Sequence, residues 1–306
     1  MRRKLSNQEI REALTGPNPS FYIPFCRNGS IDYKGLKNEI EFDLNAGSKI
    51  MLLTYGDSLY SVLTDQEVAE VTKSVVEQTA GRAMVVAAER QWWTGKAVSF
   101  AKYLNEIGAD LFMVLPPNWA DSCTVDTFVE HYATVAQHIP VMIVTGVFST
   151  CRSFGLKALE ILRDKVPGVV AIKDDLCGEF GRKVGLLLHD KWAVYSGGLK
   201  QNFLDIWPYG CDGYLSTYMK FKPDIAHQFW DAIKVKDITE ARNIIAKYEI
   251  PWFEFISSLP GQFDAGIYGT MELFGICQRW RRKPYYSLND QEMEKLADLF
   301  RKLGLR

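Results

Sequence analysis

The sequence predicts an α/β chain: a closed (β/α)8 barrel (TIM barrel) with a C-terminal helical extension. Two observations carry this. Short apolar runs recur eight times before residue 217, and stretches of helical length with apolar spacing separate most of them. Regular βα alternation at about 20 to 35 residues per unit implies a parallel sheet, and eight units imply closure. An open, doubly wound sheet is the alternative fold. It usually carries a glycine-rich first turn for nucleotide, and neither G-x-G-x-x-G nor G-x-x-x-x-G-K-[ST] occurs.

Taken in order, the expected strands are 21–25, 49–54, 83–88, 110–115, 140–145, 168–172, 192–196 and 213–216. Each is short and apolar, as strands buried on both faces of a parallel sheet must be. Between them, residues 65–78, 96–107 and 125–137 have helical spacing, and Thr64 with Glu67 forms a capping-box pattern ahead of the first of these. After the eighth strand, 223–233, 238–248 and 290–303 read as helices, with a further one around 266–277. That is too much chain for one closing helix. The expected division is an N-terminal segment at 1–20, the barrel at 21–220, and the last barrel helix with the extension at 221–306. No Ser/Pro-rich linker marks the extension as a separate module.

Composition narrows the function classes. A chain of 306 residues with 47% hydrophobic and 24% charged residues and a formal charge of −1 is an ordinary globular protein. Its balance gives no electrostatic case for nucleic acid or an anionic membrane as partner. The local basic run Arg279, Arg281, Arg282 and Lys283, interleaved with Trp280 and followed by Tyr285 and Tyr286, is expected to be a solvated cluster rather than an RNA patch. Six scattered cysteines without a CxxC pair read as reduced thiols. The basic start has no apolar segment after it, and no run of 18 apolar residues exists, so a cytoplasmic protein is expected.

The most informative residue is Lys173, which closes the sixth apolar run in Val169-Val170-Ala171-Ile172-Lys173-Asp174-Asp175. An ordinary lysine amine is neutral in only about 1 of 2,500 molecules at pH 7, and burial that brings its pKa toward neutrality makes an amine able to attack a carbonyl. The plainer reading is a strand-end lysine that snorkels or pairs with Asp174 or Asp175. In a barrel, chemistry gathers at the C-terminal strand ends, which favours the functional reading. Two other strand ends carry suitable turns. Thr54-Tyr55-Gly56-Asp57-Ser58 offers N–H groups and hydroxyls to a carboxylate, and Ser196-Gly197-Gly198 lets backbone approach a ligand. Both are also compatible with plain turns.

Together these segments, with Gly210-Cys211-Asp212-Gly213-Tyr214-Leu215-Ser216, resemble the dihydrodipicolinate synthase and N-acetylneuraminate lyase family of class I pyruvate-dependent aldolases over about 21–303. The resemblance implies that Lys173 forms a Schiff base with pyruvate or another 2-keto acid. It also implies that Thr54 and Tyr55 bind the substrate carboxylate, that Gly197 and Leu215 line the substrate site, and that the protein is a homotetramer or homodimer without a dissociable cofactor. The departures are specific. The strand-five tyrosine that relays protons in the family corresponds to Val144, the basic residue for a dicarboxylate to Ser149, and the Tyr-Tyr pair after strand four to Pro117-Asn118. A true dihydrodipicolinate synthase is therefore not expected.

Aldol chemistry still needs an acid and a base. Tyr55 is the expected replacement relay, with Asp175 or Tyr195 as helpers; Tyr55 as a pocket-wall aromatic is the alternative. Trp92-Trp93 read as pocket wall or as packing. Lys200 reads as a solvated first-turn lysine or a contact for a distal carboxylate. His131, His138, His189 and His227 have no metal-ligand spacing, and no metal is expected. Two functional readings stand: a lyase or aldolase acting on a 2-keto acid, and an impaired relative that binds a keto acid as a regulatory protein.

Overall fold

The computed structural model describes residues 4–115 and 122–306. Helix α1 (Asn7–Leu14) opens the chain with a capping box, Ser6 and Glu9 satisfying each other's backbone N–H groups. The alternation then runs β1 (Gly16–Asn18), α2 (Tyr33–Asn45), β2 (Ile50–Leu52), α3 (Asp65–Thr79), β3 (Met84–Ala88), α4 (Thr94–Ile107), β4 (Leu111–Val114) and α5 (Val125–Val135). It continues through β5 (Val141–Val144), α6 (Arg152–Lys165), β6 (Val169–Asp174), α7 (Gly178–Leu188), β7 (Ala193–Ser196), α8 (Lys200–Ile206) and β8 (Gly213–Leu215).

The strands pair in parallel in the order β1-β8-β7-β6-β5-β4-β3-β2. The ends of that sheet meet where Ser20 bridges Leu52 and the Phe21 N–H donates to the Leu52 carbonyl at 2.8 Å, so the sheet curls into a (β/α)8 barrel. Every strand residue is buried, which explains why β2 to β8 read as unbroken apolar runs rather than alternating ones. The Thr64–Glu67 capping box forms as expected, the Glu67 N–H donating to Thr64 Oγ1 at 3.1 Å.

The first strand differs from its expected position. It lies at Gly16–Asn18, in register with Gly213–Leu215 of β8. The apolar run Phe21, Tyr22, Ile23 and Phe25 that suggested a strand is buried core beyond the strand end. Backbone crowding fixes the pairing: a Cβ on Gly213 would lie 2.0 Å from the Leu14 carbonyl oxygen, so only glycine lets β8 approach the chain entering β1.

After β8 come α9 (Pro223–Lys234), α10 (Ile238–Ile244) with a π-helical continuation to Glu249, α11 (Ile250–Ser258), α12 (Gln262–Leu273) and α13 (Asp290–Lys302). The sequence reading missed α11, because Pro251 interrupts its apolar pattern. In the structure that proline is the second residue of α11, directly after the π-helical turn that joins it to α10. Trp252 packs on Tyr218 and Phe221 at the end of β8, welding the extension to the barrel. The basic run is not a solvated cluster. Arg282 pairs with Glu67 of α3 at 2.8 Å, Arg281 is buried and pairs with Asp264 at 3.2 Å, and Arg279 pairs with Glu272 at 3.1 Å. Among the described residues no helix is long and apolar enough to cross a membrane.

Candidate active site

All of β6 is buried, and Lys173 stands at one level with Val144 of β5 and Tyr195 of β7. Beyond it the chain is held by Asp174. Its Oδ1 accepts from Thr145 Oγ1 at 2.7 Å and the Leu176 N–H at 3.2 Å, while Oδ2 accepts from the Cys177 N–H at 3.1 Å. Burial raises the Asp174 carboxyl above its ordinary range, and the Thr145 and backbone hydrogen bonds pull it back. Asp175 is anchored through its N–H to Thr145 Oγ1 at 2.8 Å. Strand side chains two apart share a side, so the Asp175 carboxylate comes to the lysine: Lys173 Nζ donates to Asp175 Oδ1. The lysine side chain is 9% exposed and the aspartate 32%, so the amine is enclosed while its partner still meets solvent.

Facing them is the turn after β2. Thr54 Oγ1 accepts from the Asp57 N–H at 3.0 Å, the Thr54 N–H donates to Ser58 Oγ at 3.0 Å, and the Ser58 hydroxyl donates to the Phe21 carbonyl at 2.5 Å. These bonds use the Thr54 and Asp57 N–H groups. Among the described residues, those of Tyr55 and Gly56 carry no protein hydrogen bond and remain for a ligand. Burial raises the Asp57 carboxyl, against the pull of Ser20 and the Lys173 charge.

Lys173, Thr54, Tyr55, Gly197 and Leu215 all line one cavity of about 460 Å³ at the C-terminal strand ends. Gly197 is there for a steric reason: a Cβ on it would lie 1.7 Å from Asp175 Oδ1 and 2.8 Å from Lys173 Nζ. Val144 also lines the cavity, without a group able to move a proton. Sequence reasoning did not find Gln91, whose φ of 59° turns it in after β3, nor Phe253 of α11 and Phe263 of α12. Those two rings stack with centroids 5.3 Å apart and close one wall. Their only signal is aromatic density in the extension, which spacing cannot assign to a pocket.

Other candidates lie elsewhere. Tyr195 is fully buried, its hydroxyl donating to the Asn18 carbonyl at 3.2 Å. Lys200 is buried and pairs with Glu249 at 3.1 Å, which corrects the solvated reading. Trp92 packs on Phe100 while Trp93 is 68% exposed, so neither lines the cavity. His131 is a core residue rather than a surface one, its Nδ1 hydrogen-bonded to Thr94 Oγ1 at 2.9 Å, and burial lowers its pKa to about 4. Ser149 is exposed and outside the lining, and Pro117-Asn118 lie outside the described residues. No cluster suited to a metal occurs among the described residues.

Comparison with known proteins decides the family. The model of the dihydrodipicolinate synthetase family matches residues 14–303. The chain belongs to that family. Within the dihydrodipicolinate synthetase family it is a divergent, lyase-type enzyme. It is 25% identical over 301 residues to a 4-hydroxy-tetrahydrodipicolinate synthase of Chlorobaculum parvum, covering 95% of this chain and 98% of that one. It is 22% identical over 306 residues to a "Probable 5-dehydro-4-deoxyglucarate dehydratase" of Delftia acidovorans, covering 98% and 99%. The crystal structure of an N-acetylneuraminate lyase from Mycoplasma synoviae superposes with a TM-score of 0.81 at 18% identity, covering 96% and 99%, which shows a common fold.

Proposed function

We propose that this family member is a Schiff-base lyase or aldolase acting on a 2-keto acid such as pyruvate. The observation that carries the reading is the enclosed Lys173 amine, at the floor of a cavity whose opposite lip is the Thr54–Ser58 turn. Lys173 adds to the keto carbonyl, Thr54 and Tyr55 hold the carboxylate, and the protonated imine draws electrons from the adjacent carbon to give an enamine. Reversible aldol cleavage or condensation, or a related dehydration, follows without a dissociable cofactor. Gly197 and Leu215 give the substrate its walls, and the Tyr55 phenol relays the proton of the aldol hydroxyl.

The reading excludes efficient dihydrodipicolinate synthesis. Among the described residues lining the cavity, Lys173 is the only cation, while Asp57 and Asp175 are acids and Met113, Leu115, Val147 and the two phenylalanines are apolar. Such a wall repels a partner bearing a second carboxylate. Val144 supports the second reading, a keto-acid-binding protein without turnover. The family's habits support a homodimer or homotetramer in the cytoplasm, with no nucleic acid or membrane partner.

The test is borohydride reduction in the presence of pyruvate, followed by peptide mass analysis. The added mass is expected on the peptide holding Lys173 and is expected to vanish in Lys173→Ala. Equal labelling of both proteins sinks the assignment.

A further inference from the structure

We infer that Asp175 is the acid–base group on the amine side of this reaction, an inference that rests on the Schiff-base reading of Lys173. Forming an imine from a carbonyl and an ammonium requires a base to free the amine and an acid to expel the carbonyl oxygen as water. One group in contact with the nitrogen can do both. Of the polar side chains around the cavity, Thr54, Tyr55, Asp57, Gln91, Asp175 and Thr217, it is Asp175 whose carboxylate accepts directly from Lys173 Nζ.

The carboxylate occupies a slot made for it. On the β7 side there is room because residue 197 is glycine, where a Cβ would lie 1.7 Å from Oδ1. On the β5 side residue 146 is also glycine, but a Cβ there would make only ordinary contact, 3.9 Å from Oδ2 and 4.0 Å from the Val144 side chain, so Gly197 is the position the slot requires. Asp175 thus fills the space near the amine between Val144 and Gly197, neither of which carries a proton, while the nearby Tyr195 hydroxyl is turned away to the Asn18 carbonyl. Its backbone is fixed by Thr145, and its partial exposure lets it exchange protons with solvent.

The steps balance. Asp175 takes a proton from the Lys173 ammonium, and the neutral amine forms the N–C bond to the keto carbon. The proton that the nitrogen sheds passes to the former carbonyl oxygen, making the carbinolamine. The Asp175 carboxylic acid then protonates that hydroxyl, which leaves as water while the nitrogen lone pair forms the C=N bond. Ammonium and ketone have become iminium and water, and Asp175 is again a carboxylate. It now neutralises the iminium and removes a proton from C3; the C–H electrons form the C=C bond of the enamine. Returning a solvent-exchanged proton to C3 reverses that step.

Enamine formation can be read without knowing the aldehyde partner, as exchange of the pyruvate methyl protons in D2O followed by NMR. In Asp175→Asn the exchange rate is expected to fall by about 10² to 10⁴, with the fold intact by thermal melting and the Lys173 adduct still trapped by borohydride on long incubation. In Asp175→Ala a similar loss is expected, recovered at least severalfold by added formate, a small acid–base that fits the emptied slot. Exchange in Asp175→Asn within threefold of wild type, with the adduct present, overturns the inference, as does an Asp175→Ala variant that formate leaves unchanged. Absence of a Lys173 adduct in the wild-type protein overturns the Schiff-base reading itself and is distinguishable from both.

Discussion

Replacing Gly197 by alanine probes the amine's surroundings without removing a polar group. The residue has no left-handed backbone requirement, so alanine is conformationally acceptable there. The clash is local: the new Cβ would start 1.7 Å from Asp175 Oδ1, and real contacts essentially never fall below 3.0 Å, so the carboxylate must retreat by at least 1.3 Å. That breaks its hydrogen bond with Lys173 Nζ. A misplacement of about 1 Å in a reacting group costs on the order of 10²-fold in rate, equivalent to about 2.7 kcal/mol of barrier. The obstacles are the flexible ends of two side chains, Asp175 and, at 2.8 Å, Lys173 Nζ, so the loss of folding stability should stay below about 1 kcal/mol. Deuterium exchange into the pyruvate methyl group, with a thermal melt in parallel, measures both. Exchange within threefold of wild type would refute the reasoning, because the pair then either survives the methyl group or does not matter.

Three further outcomes follow from the same geometry. Tyr55→Phe should lower turnover of an aldol substrate by about 100-fold while leaving pyruvate affinity within a few fold; near-normal turnover would assign the hydroxyl proton to another group. In a coupled assay with pyruvate and aspartate semialdehyde, dihydrodipicolinate formation should be negligible beside that of lysine-pathway synthases, and a comparable specific rate would contradict the charge argument. His131 gives a pH test of stability. Burial lowers its pKa from 6.5 to about 4, so between those values the unfolded chain binds a proton that the native one refuses, and stability falls as pH drops. The penalty grows to about 3 kcal/mol near pH 4. Urea midpoints of wild type and His131→Asn should therefore differ progressively in pH sensitivity below pH 6.5, and parallel curves would contradict it.

The fold was legible because parallel strands buried on both faces leave an unambiguous trace: seven of the eight expected runs overlap strands in the structure. The exception is instructive. Gly16-Pro17-Asn18 lacks the apolar signature of a strand, since its place is set by backbone contact with Gly213, whereas Phe21–Phe25 has that signature and serves as core packing. Within the site, the order of strand ends sufficed to bring Lys173, the Thr54–Ser58 turn, Gly197 and Leu215 to one cavity. The acid partner of Lys173 was open between Asp174 and Asp175, and the strand's period of two resolves it in favour of Asp175. Phe253 and Phe263 could not be read, because their place depends on how α11 and α12 fold back over the barrel. Lys200 misled for a related reason: Glu249, 49 positions away, draws it into the core.

The central claim is that Lys173 bonds covalently to a 2-keto acid, and a crystal soaked with pyruvate tests it most directly. The account predicts density continuous from Lys173 Nζ into the keto carbon, with the carboxylate seated against Thr54 and Tyr55. Pyruvate bound in the cavity beside an unmodified Lys173, or absent from it at saturating concentration, would contradict it.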